Sequence, residues 1–241
     1  MTRILFVTVG TSAAENEEIA EHSPALKERL GDDDARTLIA RLEDQPAQIA
    51  ALQELLLAAH REFWEERDAY RKDSEHFRYT SAETISTFMA LGSLQHGLDK
   101  VVLLVSDTVI GRVCGNINQA LFGDYLFLPG DGSQEGAVIE EIKGLNPAPK
   151  KPEPFQKVYP QVRAILERYT AGNTSQLVFN ISGGLKGLIP PITHLACTEY
   201  KGRSPEILYL HDTMRATVTL SPRQDGWKLD EEIRPNYYVT R

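Results

Sequence analysis

Short apolar, β-rich runs recur along the chain and are separated by stretches with helical spacing. Residues 3–9 (RILFVTV) are almost wholly apolar, as expected of a strand buried on both faces. Residues 101–106 (VVLLVS), 124–128 (DYLFL), 177–181 (LVFNI) and 207–211 (ILYLH) read in the same way. Between them, residues 35–72 place Leu38, Ile39, Leu42, Ile49, Leu52, Leu55, Leu56 and Phe63 at helical spacing, with a break at Pro46. Ser81 can cap a helix running to about residue 96, although a Glu at the third helical position is missing. Residues 111–122, 134–143, 155–170 and 184–200 complete the predicted helices. Strands alternating with helices imply a mainly parallel sheet covered on both faces, a doubly wound, Rossmann-like α/β fold.

Two stretches fall outside this alternation. Residues 31–78 are longer than one crossover helix needs and read as a charged helical insertion. The tail alternates at Ala216-Thr217-Val218-Thr219-Leu220 and again around Trp227, which predicts a terminal hairpin. The expected organisation is one domain over 1–215, with 216–241 as its C-terminal β extension. The proline-rich residues 144–154 form a surface loop.

Composition narrows the class. The 241 residues are 41% hydrophobic and 25% charged, which is ordinary for a globular protein. No run of about 18 apolar residues is present, so no membrane span is expected. The N-terminus reads as a strand rather than a secretory signal. Two cysteines, Cys114 and Cys197, are too few for a disulfide framework or a zinc site. The cytosol is the expected compartment, with no metal and no cofactor. The net charge of −8 arises in residues 1–100, which hold 19 acidic and 11 basic side chains. Such a chain is a poor binder of long nucleic acid, which requires many phosphate-neutralising cations. A small anionic ligand remains compatible, because one Lys and a few backbone N–H groups can hold a phosphate.

Three polar clusters follow predicted strands. Gly10, Thr11 and Ser12 follow the first strand, where Gly10 permits a tight turn and the hydroxyls stand at a helix start. A plain serine cap explains them equally well. Ser106, Asp107 and Thr108, with Gly111, follow the strand 101–106 and also fit a polar turn. Asn180, Ser182, Gly183, Gly184 and Lys186 follow the strand 177–181. The adjacent glycines permit a close backbone approach, and a Lys in the first turn of a helix opposes the dipole unless it meets an anion. The alternative is a glycine-rich turn with a solvated Lys. Ligands of open α/β sheets bind at the carboxyl ends of strands, so the three clusters converge on one edge.

In order and spacing, Leu5-Phe6-Val7-Thr8-Val9-Gly10-Thr11-Ser12, Ser81-Ala82-Glu83, Leu103-Leu104-Val105-Ser106-Asp107-Thr108 with Gly111, and Asn180-Ile181-Ser182-Gly183-Gly184-Leu185-Lys186 resemble the CARF family. These are the CRISPR-associated Rossmann-fold domains of type III CRISPR systems, and the likeness is greatest to the standalone ring nucleases. Glu140-Glu141-Ile142-Lys143-Gly144-Leu145-Asn146 followed by Phe155 also resembles that subfamily. The resemblance implies a homodimer whose shared pocket binds a cyclic oligoadenylate, chiefly cyclic tetra-adenylate. It implies metal-independent cleavage by a ribose 2′-hydroxyl, which switches off antiviral signalling. By the family's motif Ser12 orients the phosphate or the 2′-hydroxyl, and Lys186 stabilises developing negative charge. Gly183 and Gly184 bring backbone N–H groups to the phosphate. Gly10, Thr11, Asn16, Ser106, Thr108, Asn180 and Ser182 are expected to line the ligand. Ser182 and Leu185 stand where relatives often carry Thr.

Non-cleaving sensors share most of these motifs, so a binding module acting through a partner is the alternative. An unrelated Rossmann-like nucleotide-binding protein is the third reading. Arg71 and His76 match an Arg-x4-His ribonuclease pattern at a spacing that chance supplies. Glu141-Ile142-Lys143 matches the end of a restriction-type nuclease motif, but on a predicted helix it reads as a solvated face. His194 is expected to be a packed histidine.

Overall fold

The computed structural model describes residues 3–15, 17–67, 81–84, 86–87, 98–125, 137–145, 154–172, 174–184, 186–211, 216–223 and 226–232. A seven-stranded sheet runs through it, formed by β1 (Arg3–Thr8), β2 (Leu98–Ser106), β3 (Ala137–Ile142), β4 (Gln176–Asn180), β5 (Glu206–His211), β6 (Ala216–Arg223) and β7 (Gly226–Glu232). The spatial order is β3-β2-β1-β4-β5-β6-β7. Strands β1 to β5 pair in parallel, and β6 and β7 add an antiparallel hairpin, as the alternation of the tail predicts. The chain leaves β1 toward β2 and β3 and later returns to its other side with β4 and β5. The β1/β4 boundary is therefore the topological switch point, where sheets of this kind bind ligands at the strands' carboxyl ends.

The period of two along each strand sorts the core into two layers. Leu5 and Val7 of β1, Val101, Leu103 and Val105 of β2 and Val178 of β4 face one side. They pack there with α1 (Ser12–Glu15), α3 (Pro24–Leu30), α4 (Ala35–Arg41), α5 (Pro46–Arg67) and α6 (Val109–Tyr125). The short α2 (Glu17–His22) adds Ile19 to the same layer. Ile4, Phe6, Val102, Leu104, Leu177 and Phe179 face the other side, toward α7 (Pro154–Thr170) and α8 (Ile189–Cys197). Phe6 and Phe179 stack across adjacent strands with ring centroids 5.5 Å apart. Full burial of such side chains contributes roughly 1.5–3 kcal/mol each.

The break foreseen at Pro46 is real, because α5 begins on that residue. Asp34 caps α4 by accepting from the Thr37 N–H at 2.7 Å. Leu38, Ile39, Leu52, Leu56 and Phe63 belong to the main core, so α4 and α5 form part of a principal helical layer.

Two predicted elements differ. Residues 134–143 are not a helix: Ala137–Ile142 form edge strand β3, in parallel register with Val101 to Ser106 of β2. Helix α6 extends to Tyr125, into the segment expected as a strand, and residues 126–128 lie outside the described residues. The adjacent Glu140 and Glu141 suggested a solvated helix. On a strand they point to opposite faces. Glu140 accepts from Arg168 and from the Tyr169 hydroxyl on α7, each at 2.6 Å, while Glu141 faces Arg112 on α6 at 3.8 Å. Burial first, then the bond to Glu140, pushes Tyr169 up to about 12.

The predicted helix 184–200 is also divided. A single 3₁₀ turn, Lys186–Leu188, precedes α8, and Pro190 stands at the second helical position, where a missing N–H costs no intrahelical bond. His194 is exposed, with its ring 5.6 Å from that of Tyr159, rather than packed inside.

Candidate functional site

The carboxyl ends of β1 and β4 meet at Gly10 and Gly184. A β-carbon at Gly10 would lie 2.6 Å from the Gly184 nitrogen and 2.8 Å from its Cα. Gly184 itself has φ +100°, a conformation that L side chains avoid, and a β-carbon there would lie 2.8 Å from Thr8 Cβ. The Thr8 hydroxyl makes close contact with the Gly183 carbonyl and lies 3.3 Å from that of Asn180. The two strand-end turns are thus in direct backbone contact.

Between them lies Glu83, a residue absent from the expected site. Its side chain is fully buried. Its Oε1 accepts from the Gly10 N–H at 2.6 Å, and its Oε2 accepts from the Ser12 hydroxyl. Ser12 Oγ in turn accepts from the Ala82 N–H at 3.2 Å. Ser81 caps this helical stretch, receiving the Thr84 N–H at 3.0 Å. Glu83 therefore stands in a first turn, two positions after the cap. Residues 82–84 and 86–87 are helical, which supports the predicted helix start at Ser81.

Asn180 is fully buried and holds the same stretch from the β4 side. Its Nδ2 donates to Ser86 Oγ and Thr87 Oγ1, both at 2.7 Å, and its Oδ1 receives the Ser182 N–H at 3.0 Å. These bonds make it a brace of the turn. On the far side, Thr84 donates to Asn118 Oδ1 at 2.7 Å, which ties the stretch to α6.

The third cluster forms as a turn in its own right. Ser106 and Thr108 join their hydroxyls at 2.7 Å, and Thr108 Oγ1 caps α6 by accepting from the Gly111 N–H at 3.1 Å. Asp107 accepts from the Gly144 N–H at 3.2 Å. Thr11 is partly buried, and its carbonyl accepts from the N–H groups of Ala14 and Glu15 at the start of α1. Ser182 is partly buried, Gly183 is buried and Lys186 is exposed on its 3₁₀ turn. Asn16, Leu185 and the Arg71–His76 pair lie outside the described residues. Glu141 of the nuclease-like triplet lies on strand β3 rather than on a helix. Among the described residues, no three His, Cys, Asp or Glu side chains are grouped to hold a metal ion.

Beneath the site, His60 of α5 is fully buried and its Nε2–H donates to the Ala13 carbonyl at 2.7 Å, which fixes the residue next to Ser12. Burial, opposed by that bond, pushes its pKa down to about 4.

This geometry sits inside a matched family. A family model described as CRISPR-associated protein (Cas_APE2256) covers residues 78–223, more than half of the chain. The chain belongs to that family. No curated protein matches it. A Rossmann-like sheet in a CRISPR-associated family is what the CARF resemblance implies. The matched span takes in Glu83, Ser106, Thr108 and the turn from Asn180 to Lys186, whereas Gly10 and Ser12 come from the chain before it. No described helix is long and apolar enough to cross a membrane.

Sequence reasoning missed Glu83 as a site residue, although its motif was visible. The usable signal was an acidic residue two positions after a capping Ser, in a stretch of small polar residues. Its contact with Ser12, 71 residues away, was not readable.

Proposed function

We propose that the protein is a ring nuclease of type III CRISPR systems. It binds a cyclic oligoadenylate, cyclic tetra-adenylate in particular, across a homodimer and cleaves it, which ends the antiviral signal. The observation that carries this reading is the β1/β4 switch point. There Gly10 and Gly184 abut, Ser12 is held rigidly and Lys186 follows on the next turn, all within a CRISPR-associated family.

The proposed reaction uses a nucleophile from the substrate. A ribose 2′-oxygen attacks the adjacent phosphorus in line, the bond to the 5′-oxygen breaks, and a 2′,3′-cyclic phosphate and a 5′-hydroxyl result. The protein contributes orientation and charge stabilisation. Ser12 orients the ribose, the glycine turn approaches the phosphate, and the Lys186 ammonium meets the charge that develops on it.

Purified protein incubated with cyclic tetra-adenylate and EDTA tests this, with products resolved by mass spectrometry. Linear products ending in a 2′,3′-cyclic phosphate are expected. Tight binding of an intact ring would instead identify a sensor, and neither binding nor cleavage would remove the ligand class. Loss of activity in EDTA with recovery in Mn²⁺ or Mg²⁺ would sink the metal-independent route.

A further inference from the structure

Resting on the cleavage reading above, we propose that Glu83 acts through Ser12 as a positioning residue. It makes Ser12 an acceptor for the ribose 2′-hydroxyl and receives the proton which that hydroxyl gives up. A serine hydroxyl has one O–H and two lone pairs. The O–H of Ser12 is committed to Glu83 Oε2, and one lone pair takes the Ala82 N–H at 3.2 Å. One lone pair remains for a ligand. Ser12 therefore meets a donor, and it cannot also donate to a phosphate oxygen while Glu83 holds its proton. Of the groups on an oligoadenylate backbone, phosphate oxygens only accept, and the 2′-hydroxyl donates.

Glu83 cannot turn away from this task. Its Oε1 is fixed by the Gly10 N–H at 2.6 Å, and the Gly183 backbone packs directly against its carboxyl group. As the 2′-oxygen forms its bond to phosphorus, its proton passes to Ser12 Oγ and the original Ser12 proton passes to Glu83 Oε2. The electron pair of the breaking P–O bond leaves on the 5′-oxygen, which takes a proton from water. Glu83 then returns its proton to the hydroxide formed, through Ser12, and the site is restored.

Glu83→Gln tests the assignment with a defined outcome. The new amide must keep its oxygen toward the Gly10 N–H, because the opposite orientation sets donor against donor. Its NH₂ then faces Ser12, whose own O–H turns outward. Affinity for cyclic tetra-adenylate should stay within about threefold, whereas single-turnover cleavage should fall by about 10²–10³, in the range for loss of a positioned proton acceptor. Selectivity should also change. The wild-type protein should bind the natural ring at least about tenfold more tightly than the fully 2′-O-methylated ring, the scale of one hydrogen bond. In Glu83→Gln that ratio should shrink, because an outward O–H can donate to the ether oxygen.

Ser12→Ala keeps the Glu83–Gly10 bond and covers the case in which Glu83→Gln folds poorly. It should reproduce the rate loss, and the two changes combined should cost no more than either alone. Wild-type rate and selectivity in Glu83→Gln, beside a wild-type protein that cuts the ring, would overturn this inference and leave the ring-nuclease reading intact. A wild-type protein that neither binds nor cuts overturns both. Binding without cutting removes the proton step, and the selectivity ratio still decides whether Ser12 is an acceptor.

Discussion

Gly183 packs its backbone directly against the Glu83 side chain: a β-carbon at Gly183 would overlap the Glu83 Cγ, Cδ and Oε1. The contact joins the β4 turn to the residue that holds Gly10 and Ser12 of the β1 turn. The glycine is required there by space rather than by an unusual φ, because Gly183 is not among the positive-φ residues.

Gly183→Ala should therefore displace Glu83 and cost about 1–3 kcal/mol, the scale of overpacking a tight interior. Glu83→Ala makes room for the added methyl group. The double variant should be less destabilised than the sum of the two single changes, as read from urea denaturation midpoints. Additive costs would show that the two residues do not compete for the same space.

His60 predicts a pH dependence of stability. Its folded-state pKa of about 4 lies below the unfolded value of about 6.5, so protonation favours the unfolded chain. The contribution of the neutral ring is complete above about pH 6.5 and is lost as the pH falls toward 4, up to about 3 kcal/mol. His60→Gln retains a donor for the Ala13 carbonyl and does not titrate. Thermal melts between pH 4 and 7.5 should show a shallower acid-side loss for this variant than for the wild-type protein.

Lys186→Ala should reduce cleavage by about 10²–10³, as expected when one group that stabilises transition-state charge is removed. Affinity should fall less, because in the proposed binding mode ground-state phosphate also meets the glycine backbone. Equal losses of rate and affinity, measured by single-turnover kinetics and calorimetry, would assign Lys186 to uniform binding.

The proposed shared pocket calls for two-fold symmetry. Light scattering should give about 54 kDa at micromolar concentration, twice the 27.0 kDa of one chain. A value near the single-chain mass, with and without the ring, would count against the homodimer.

The sequence alone determined the alternation of buried strands and helices, because full burial on both faces demands apolar runs such as Ile4 to Val7 and Val101 to Val105. It also determined the three strand-end clusters, since Gly and small hydroxyl residues after a strand are visible locally. It misread β3, where period-two placement of Glu140 and Glu141 against α7 and α6 shows only once both helices are in place. That Asn180 is a buried brace and that Glu83 links Gly10 to Ser12 emerges from the packing of the folded chain. Those relationships join residues 71 to 94 positions apart, and they arise where the parallel sheet reverses its winding. Hydrogen bonds between such distant groups depend on the packing of the intervening crossover, for which no local pattern of residue types gives a signal.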